Sequence, residues 1–443
     1  MKSNRPSSYQ KFKSSLSALI GLLVPGVGIK RWLVIILLGT TLIGFGLAVL
    51  VLEVYRTAPE TWWLPLISTA SLRFLPRYLR ALVFGLLGLG LILLGIRELN
   101  RSIMTPFIRP GRKVVDTLRT HRQRKRGPNI VAVGGGNGLA TLLRGLKNYT
   151  HNITAVVTVA DDGGSSGRLR KDLGILPPGD IRNCLAALSS DEALLGQLFQ
   201  YRFANGNTGL DGHSFGNLFI TALAEITGSF EEAVAESGRV LAVHGRVIPS
   251  TIHNVRLVAD MALPFAVSEI RVEGESQIPE STGKIHRVWL EPSNSPAFPE
   301  AIQSILNADL IIIGPGSLYT SILPNLLVQD LSDAIQASKA VKFYICNVAT
   351  QYGETEGFTC RDHLHTLEAH IKTDLFDVVI VNDNFTGSLP EEIEWVIPET
   401  GLINDYPIYQ ADLLDMLHPW RHDSKKLAQV ILDLYQERTG PLV

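Results

Sequence analysis

Apolar residues follow two regimes along this chain. Residues 33–52 carry no charged side chain, a run about as long as an α-helix needs to cross a bilayer. Residues 81–96 form a second uncharged run, slightly short unless Arg80 snorkels and the span starts at Leu79. Residues 14–29 are also apolar but are interrupted by Gly21, Pro25, Gly26 and Gly28, so they read as an interfacial or partly inserted segment. After residue 128 the pattern changes. Short strand-like runs begin at Ile130 and recur at 153–159, 240–248, 286–290, 310–313, 341–346 and 378–381, with helical patterns such as 299–307 and 323–339 between them. This alternation predicts a Rossmann-like, doubly wound, mainly parallel α/β sheet with helices on both faces. Residues 214–226 and 230–237 read as a helical excursion, and 267–289 as a small antiparallel insert.

Charge orients the first regime. Lys2, Arg5, Lys11, Lys13, Lys30 and Arg31 precede the first run. Arg97, Arg101, Arg109, Arg112, Lys113 and the basic segment 121–126 follow the second. The stretch between has only Arg56, Arg73, Arg77 and Arg80, with Tyr55, Trp62 and Trp63 suited to an interfacial belt. The first run starts too late, is too long and lacks a small-residue cleavage site, which argues against a signal peptide. The positive-inside rule then predicts a two-helix transmembrane hairpin in the cell membrane, with both termini and the α/β domain cytoplasmic. The expected organisation is an anchor over 1–100 (spans 33–52 and 79–96), a basic linker over 101–127 and a nucleotide-binding domain over 128–443. The linker either sets topology or lies on anionic headgroups of the bilayer.

Composition narrows the function classes. Lys and Arg number 41 against 42 Asp and Glu, so no global basic field points to nucleic acid. Cys184, Cys346 and Cys360 are too few and too scattered for a disulfide framework or a zinc cluster and read as reduced thiols.

Candidate chemistry gathers after the strand runs. The first empties into Gly134-Gly135-Gly136-Asn137-Gly138 and restarts as a helix. A strand that breaks into glycines before a helix leaves backbone N–H groups aimed at one spot, which suits a phosphate ester. The cluster is not a full dinucleotide fingerprint, because Leu139 stands where a third glycine or alanine belongs. It is either a phosphate loop or a tight turn. Asp161 and Asp162 end the second run and have three readings: an acid against a ribose, ligands of Mg²⁺ on a diphosphate, or loop caps. Gly163, Gly164, Ser165, Ser166 and Gly167 then offer flexible backbone and two hydroxyls. Arg168 adds a guanidinium fit for phosphate. Asp180 stands at or near a helix N-cap, followed by Arg182 and Asn183. Asp180 is either a site residue or a cap alone, and Arg182 either a site residue or one partner of a surface salt bridge. His213 and Asn217 open another helix, with His213 either an acid/base or structural. Gly314, Gly316 and Ser317 form a second glycine turn at a strand's carboxyl end, where open α/β sheets bind ligands. His363, His365 and His370 read as surface positions of a helix. No serine-hydrolase elbow or metalloprotease motif is present, so the chain supports phosphate binding better than hydrolysis, and no catalytic residue is assigned.

The segments 132–139, 158–168, 176–183, 213–217 and 314–319 together resemble the YvcK-type gluconeogenesis factors, over roughly 128–432. Asn137 departs from a common threonine. The resemblance implies a Rossmann-like protein that binds a UDP-activated amino sugar such as UDP-N-acetylglucosamine. It also implies a role in cell shape and wall-precursor metabolism during gluconeogenic growth, and a homo-oligomer. It implies a binding and regulatory protein rather than a settled enzyme. The same superfamily contains CofD-type 2-phospho-L-lactate transferases, which use a divalent metal, so the alternative is a transferase of phosphorus-containing groups. Carried over by position, the two glycine turns would face the diphosphate and Asp161 would hold ribose or metal. Arg168 or Arg182 would neutralise phosphate charge.

Overall fold

The computed structural model describes residues 127–440 apart from 190–193, 205–208, 263–268, 282, 372–374 and 400–405, together with scattered positions between 40 and 92. The chain divides into two units, residues 1–122 and 123–443. The elements below belong to the second.

Seven strands form its main sheet: β1 (Ile130–Gly134), β2 (Ile153–Val157), β3 (Arg246–Pro249), β7 (Leu310–Ile313), β8 (Val341–Ile345), β9 (Val378–Asn382) and β10 (Ile408–Ala411). Every residue of β1, β2, β7 and β9 is buried, as strands covered on both faces require. The spatial order is β10-β9-β8-β7-β1-β2-β3, and each neighbouring pair is parallel. The chain moves outward from β1 through β2 to β3, then returns beside β1 with β7 and moves outward the other way. The strand order therefore reverses between β1 and β7, the crevice at which doubly wound sheets bind ligands.

Helices α1 (Gly136–Leu146), α2 (Gly164–Leu173), α3 (Gly179–Leu188), α4 (Leu195–Gln200), α5 (Phe215–Thr227) and α6 (Phe230–Val240) precede β3. In α1, Leu139, Leu142, Leu143 and Leu146 recur at helical spacing and are fully buried, forming the stripe that packs on the sheet. Ser214 caps α5 by accepting from the Asn217 N–H, and Ser229 caps α6 through Glu232.

Between β3 and β7 lies a second, three-stranded antiparallel sheet, ordered β5-β4-β6, of β4 (Arg256–Ala262), β5 (Ile270–Glu273) and β6 (Lys284–Glu291). It carries the short helix α7 (Gln277–Glu280). The insert expected over 267–289 thus begins earlier, at β4. Then follow α8 (Pro299–Leu306), a π-helical turn (Leu318–Ile322), α9 (Leu323–Leu326), α10 (Gln329–Ala337), α11 (Cys360–Ile371) and α12 (Ser424–Thr439), which packs on α1.

Several expectations need correction. The run 240–248 is divided: α6 reaches Val240, and β3 starts only at Arg246. The supposed glycine-serine loop at 163–168 is mostly the first turns of α2. His363 is fully buried, its Nδ1 2.8 Å from the Thr359 carbonyl. The Nε2 of His370 accepts from the Val288 N–H at 3.0 Å, so neither histidine is a plain surface residue.

The membrane anchor and the multi-pass localisation are also withdrawn. Among the described residues, no helix is long and apolar enough to cross a membrane. A charge-free run meets only the hydropathy condition, whereas a span also needs about 20 residues in one continuous helix. Near the second run, Leu72 and Phe74 lie in turns, with Leu72 at a φ of +53°. Most of 33–52, several positions of 79–96, and all of 14–29 and 101–126 lie outside the described residues.

Candidate functional site

A cavity of about 570 Å³ opens at the carboxyl ends of β1 and β7, over the reversal of strand order. Two glycine turns form its floor. Residue Gly136, which starts α1, has a φ of +60°, a conformation that disfavours other side chains. Gly135 is the N-cap, with no side-chain cap of its own. The Gly136 N–H is engaged by Asp180, so the amides of Asn137 and Gly138 are the ones left for a ligand. At Gly138 a Cβ would run into the Pro315 carbonyl and lie 2.8 Å from the Gly316 Cα. Only glycine lets the two turns touch backbone to backbone.

Other elements hold these turns in place. The Asn325 amide donates to the carbonyls of Gly134 (3.0 Å) and Ser321 (2.7 Å). Asn347, just past β8, clamps Gly316 from both sides: its Nδ2 donates to the carbonyl at 2.9 Å and its Oδ1 accepts the N–H at 3.3 Å. Ser317 donates to Gln351 at 2.7 Å. Gln351 in turn donates to Glu354 at 3.0 Å, and Glu354 also accepts from Thr320 Oγ1 and the Tyr319 N–H. Burial raises Glu354 to about 7 against those hydrogen bonds.

Three carboxyls line the cavity: Asp161, Asp180 and Glu275. Asp180 is the second residue of α3 and accepts the Gly136 N–H. Burial, then the charge of Asp161, raises it to about 7. Asp161 is raised chiefly by burial, opposed by hydrogen bonds from the Gly163 N–H and Ser166. Glu275, in the turn after β5, is pushed to about 8 by burial, then by Asp161 and Asp180. Tyr352, Trp420, Arg421 and His422, from the chain after β8, also line it. Burial lowers His422 to about 4, and its Nε2 lies 3.2 Å from the Cys346 carbonyl.

Of the residues expected from sequence, Gly135, Gly136, Asn137, Gly138, Asp161, Asp180, Gly316 and Ser317 line this cavity. Gly134 and Gly314 stand at the roots of the two turns. A second group forms a buried polar cluster beside Asp161. The Asn217 amide donates to Ser165 (3.1 Å) and Ser166 (3.3 Å), and Ser165 Oγ lies 3.0 Å from His213 Nδ1. Arg182 donates to Ser214 and to Asn183 (2.8 Å). It is lowered to about 10 by burial first and Arg202 second. Gly163 and Gly164 begin α2. Asp162 turns away from the cavity and accepts the Ser276 N–H at 2.9 Å. Arg168 is exposed, its guanidinium on the Asp211 carbonyl. Sequence reasoning missed Glu275, Asn347, Gln351, Tyr352, Trp420 and Arg421. Only Asn347 carried a signal, its place at a strand's carboxyl end.

A family profile described as 2-phospho-L-lactate transferase CofD matches residues 130–430. The chain belongs to this family. Within it, similarity runs to gluconeogenesis factors. One from Nostoc sp. is 53% identical over 429 residues, covering 93% of this chain and 92% of that protein. The Bacillus subtilis gluconeogenesis factor is 47% identical over 322 residues, covering 70% of this chain and 99% of its own length. A Bacillus halodurans crystal structure matches with a TM-score of 0.64 at 44% identity, covering 69% of this chain and 98% of that one. The resemblance to YvcK-type gluconeogenesis factors read from the five motifs is therefore correct, and the Nostoc match reaches into the N-terminal unit as well.

Proposed function

We propose that this CofD-family domain binds a nucleoside diphosphate between its two glycine turns. The ligand class is a UDP-activated amino sugar of the UDP-N-acetylglucosamine type, and the role is regulation of cell shape and wall-precursor metabolism during gluconeogenic growth. The observation that carries the reading is the glycine start of α1 meeting the Gly316 turn backbone to backbone across the β1–β7 crevice. Its relatives named as gluconeogenesis factors support the link to gluconeogenic growth.

The acidic wall bears on the metal. Asp161 and Asp180 offer hard carboxylate oxygens, and Mg²⁺ commonly takes one or two carboxylates together with ligand phosphates and water. Among the described residues no group of three or more His, Cys, Asp or Glu is arranged to hold a metal. A divalent ion would therefore enter with the diphosphate and offset its charge beside these carboxyls. The same acid set favours a second reading, metal-dependent transfer of a phosphorus-containing group, in line with the CofD description.

Isothermal titration with UDP-N-acetylglucosamine, with and without Mg²⁺, separates the readings. Saturable binding strengthened by Mg²⁺, with intact ligand recovered, is expected. Absence of saturation in both conditions would sink the proposal, and release of a nucleotide during incubation with an acceptor alcohol would favour the transferase.

A further inference from the structure

The walls of the cavity are chemically segregated. Among the lining residues, Val348, Ile393, Trp420 and His422 follow β8, while every carboxyl (Asp161, Asp180 and Glu275) precedes β7. In the sheet, β7 and β1 stand between β8 and β2. Tyr352 lies next to Gly353, on which Pro279 of the segment bearing Glu275 packs. The glycine turns lie between. A nucleobase needs a flat apolar or aromatic surface to stack on, and only the first wall supplies one. Carboxyl oxygens accept hydrogen bonds and, once ionised, repel phosphate, so the second wall suits a group rich in O–H and N–H donors.

Glu275 is the distinctive member of that wall. Asp180 already accepts the Gly136 N–H, and Asp161 accepts from Gly163 and Ser166. Among the described residues, Glu275 has no hydrogen-bond or ion-pair partner. Its position is nevertheless fixed, because the turn that bears it is tied down at both ends. The Ser276 N–H donates to Asp162 beyond β2, and Pro279 packs so closely on Gly353 that a Cβ there would collide with its backbone. An unengaged carboxyl is thus held over the Asp161–Asp180 end by a strap from the small sheet.

We infer that the pocket takes its ligand in one direction, with the base against Trp420 and Ile393 and the hexose against the acidic wall, and that Glu275 is the residue that recognises the hexose. This rests on the nucleotide-sugar reading above. It assigns Asp161 to the hexose end rather than to the ribose, as Rossmann precedent would have it. The small sheet becomes a specificity element, because no strand of the main sheet carries Glu275.

The test compares UDP with UDP-N-acetylglucosamine on the full chain at fixed Mg²⁺, for wild type, Glu275→Gln, Glu275→Ala and Trp420→Ala, each checked for an unchanged melting temperature. The wild type is expected to bind the nucleotide sugar more tightly than UDP. Both Glu275 variants should lose roughly tenfold for the nucleotide sugar while keeping UDP affinity within about twofold, and Trp420→Ala should weaken both ligands alike. Glu275 variants that weaken both ligands equally, or neither, overturn the assignment while leaving the nucleotide reading intact. A wild type that binds neither ligand removes the reading and the assignment together.

Discussion

Asp180 sits where three influences meet: the desolvated floor of the cavity, the neighbouring Asp161 carboxyl and the Gly136 N–H. With its value raised to about 7, the folded protein keeps a proton that the unfolded chain releases near the ordinary carboxylate range. The stability this contributes is complete at acid pH and is lost as pH rises through about 7. Asp180→Asn should remove that loss: urea melts at about pH 5 and about pH 8 should show a larger drop for wild type than for the variant. Equal drops would mean that another group carries the dependence. Deprotonation of Asp180, which accepts the Gly136 N–H at the first glycine turn, also places negative charge beside the diphosphate of the proposed ligand. Affinity measured in a metal chelator should therefore fall several-fold between about pH 6 and about pH 8.5, and a flat profile would contradict it. The sequence exposes Asp161 and Asp180 as acids after a strand and before a helix. Their shared pocket with Glu275 is not legible, since Glu275 comes from a turn nearly a hundred residues later.

Elements with one dominant signal were read well. The β-branched runs of β1 and β7 and the leucine stripe of α1 give the center of the sheet directly. Elements with mixed exposure were not. β10 is an edge strand without a fully buried position, and β4 alternates with a charged Asp260 that two arginines, Arg271 and Arg287, hold in place. The glycines of 163–167 suggested loop, but Ser165 and Ser166 are satisfied inside a helical turn by Asn217, a tertiary partner no local propensity reveals. α12 tests how local signals matter here. Asp423 caps it by accepting from the Lys425 and Lys426 N–H groups at 2.8 and 2.9 Å. Asp423→Ala should cost about 1 kcal/mol in chemical denaturation at neutral pH, and a change below the error of the melts would show the cap to be redundant with the packing of Leu427 and Ile431.

On the scale of the molecule, the division at residues 122 and 123 leaves the family match, residues 130–430, wholly within the second unit, and the Bacillus subtilis relative is matched over 99% of its length by 70% of this chain. A protein made of residues 123–443 should therefore fold cooperatively and bind the nucleotide within about twofold of the full chain. Loss of cooperative melting would show that the first unit is needed for stability. The sheet order has a temporal meaning too. Ile130 pairs with Leu310, and the backbone of Asn129 bonds Asp309 across a sequence separation of 180 residues. A ribosome delivers β1, β2 and β3 long before β7 exists, so a nascent chain owns one glycine turn and none of the opposite wall. Such long-range closure is slow to form. The cavity is complete only when synthesis has passed Trp420, beyond β10, so on the proposed reading occupancy of the crevice reports that the domain has been finished.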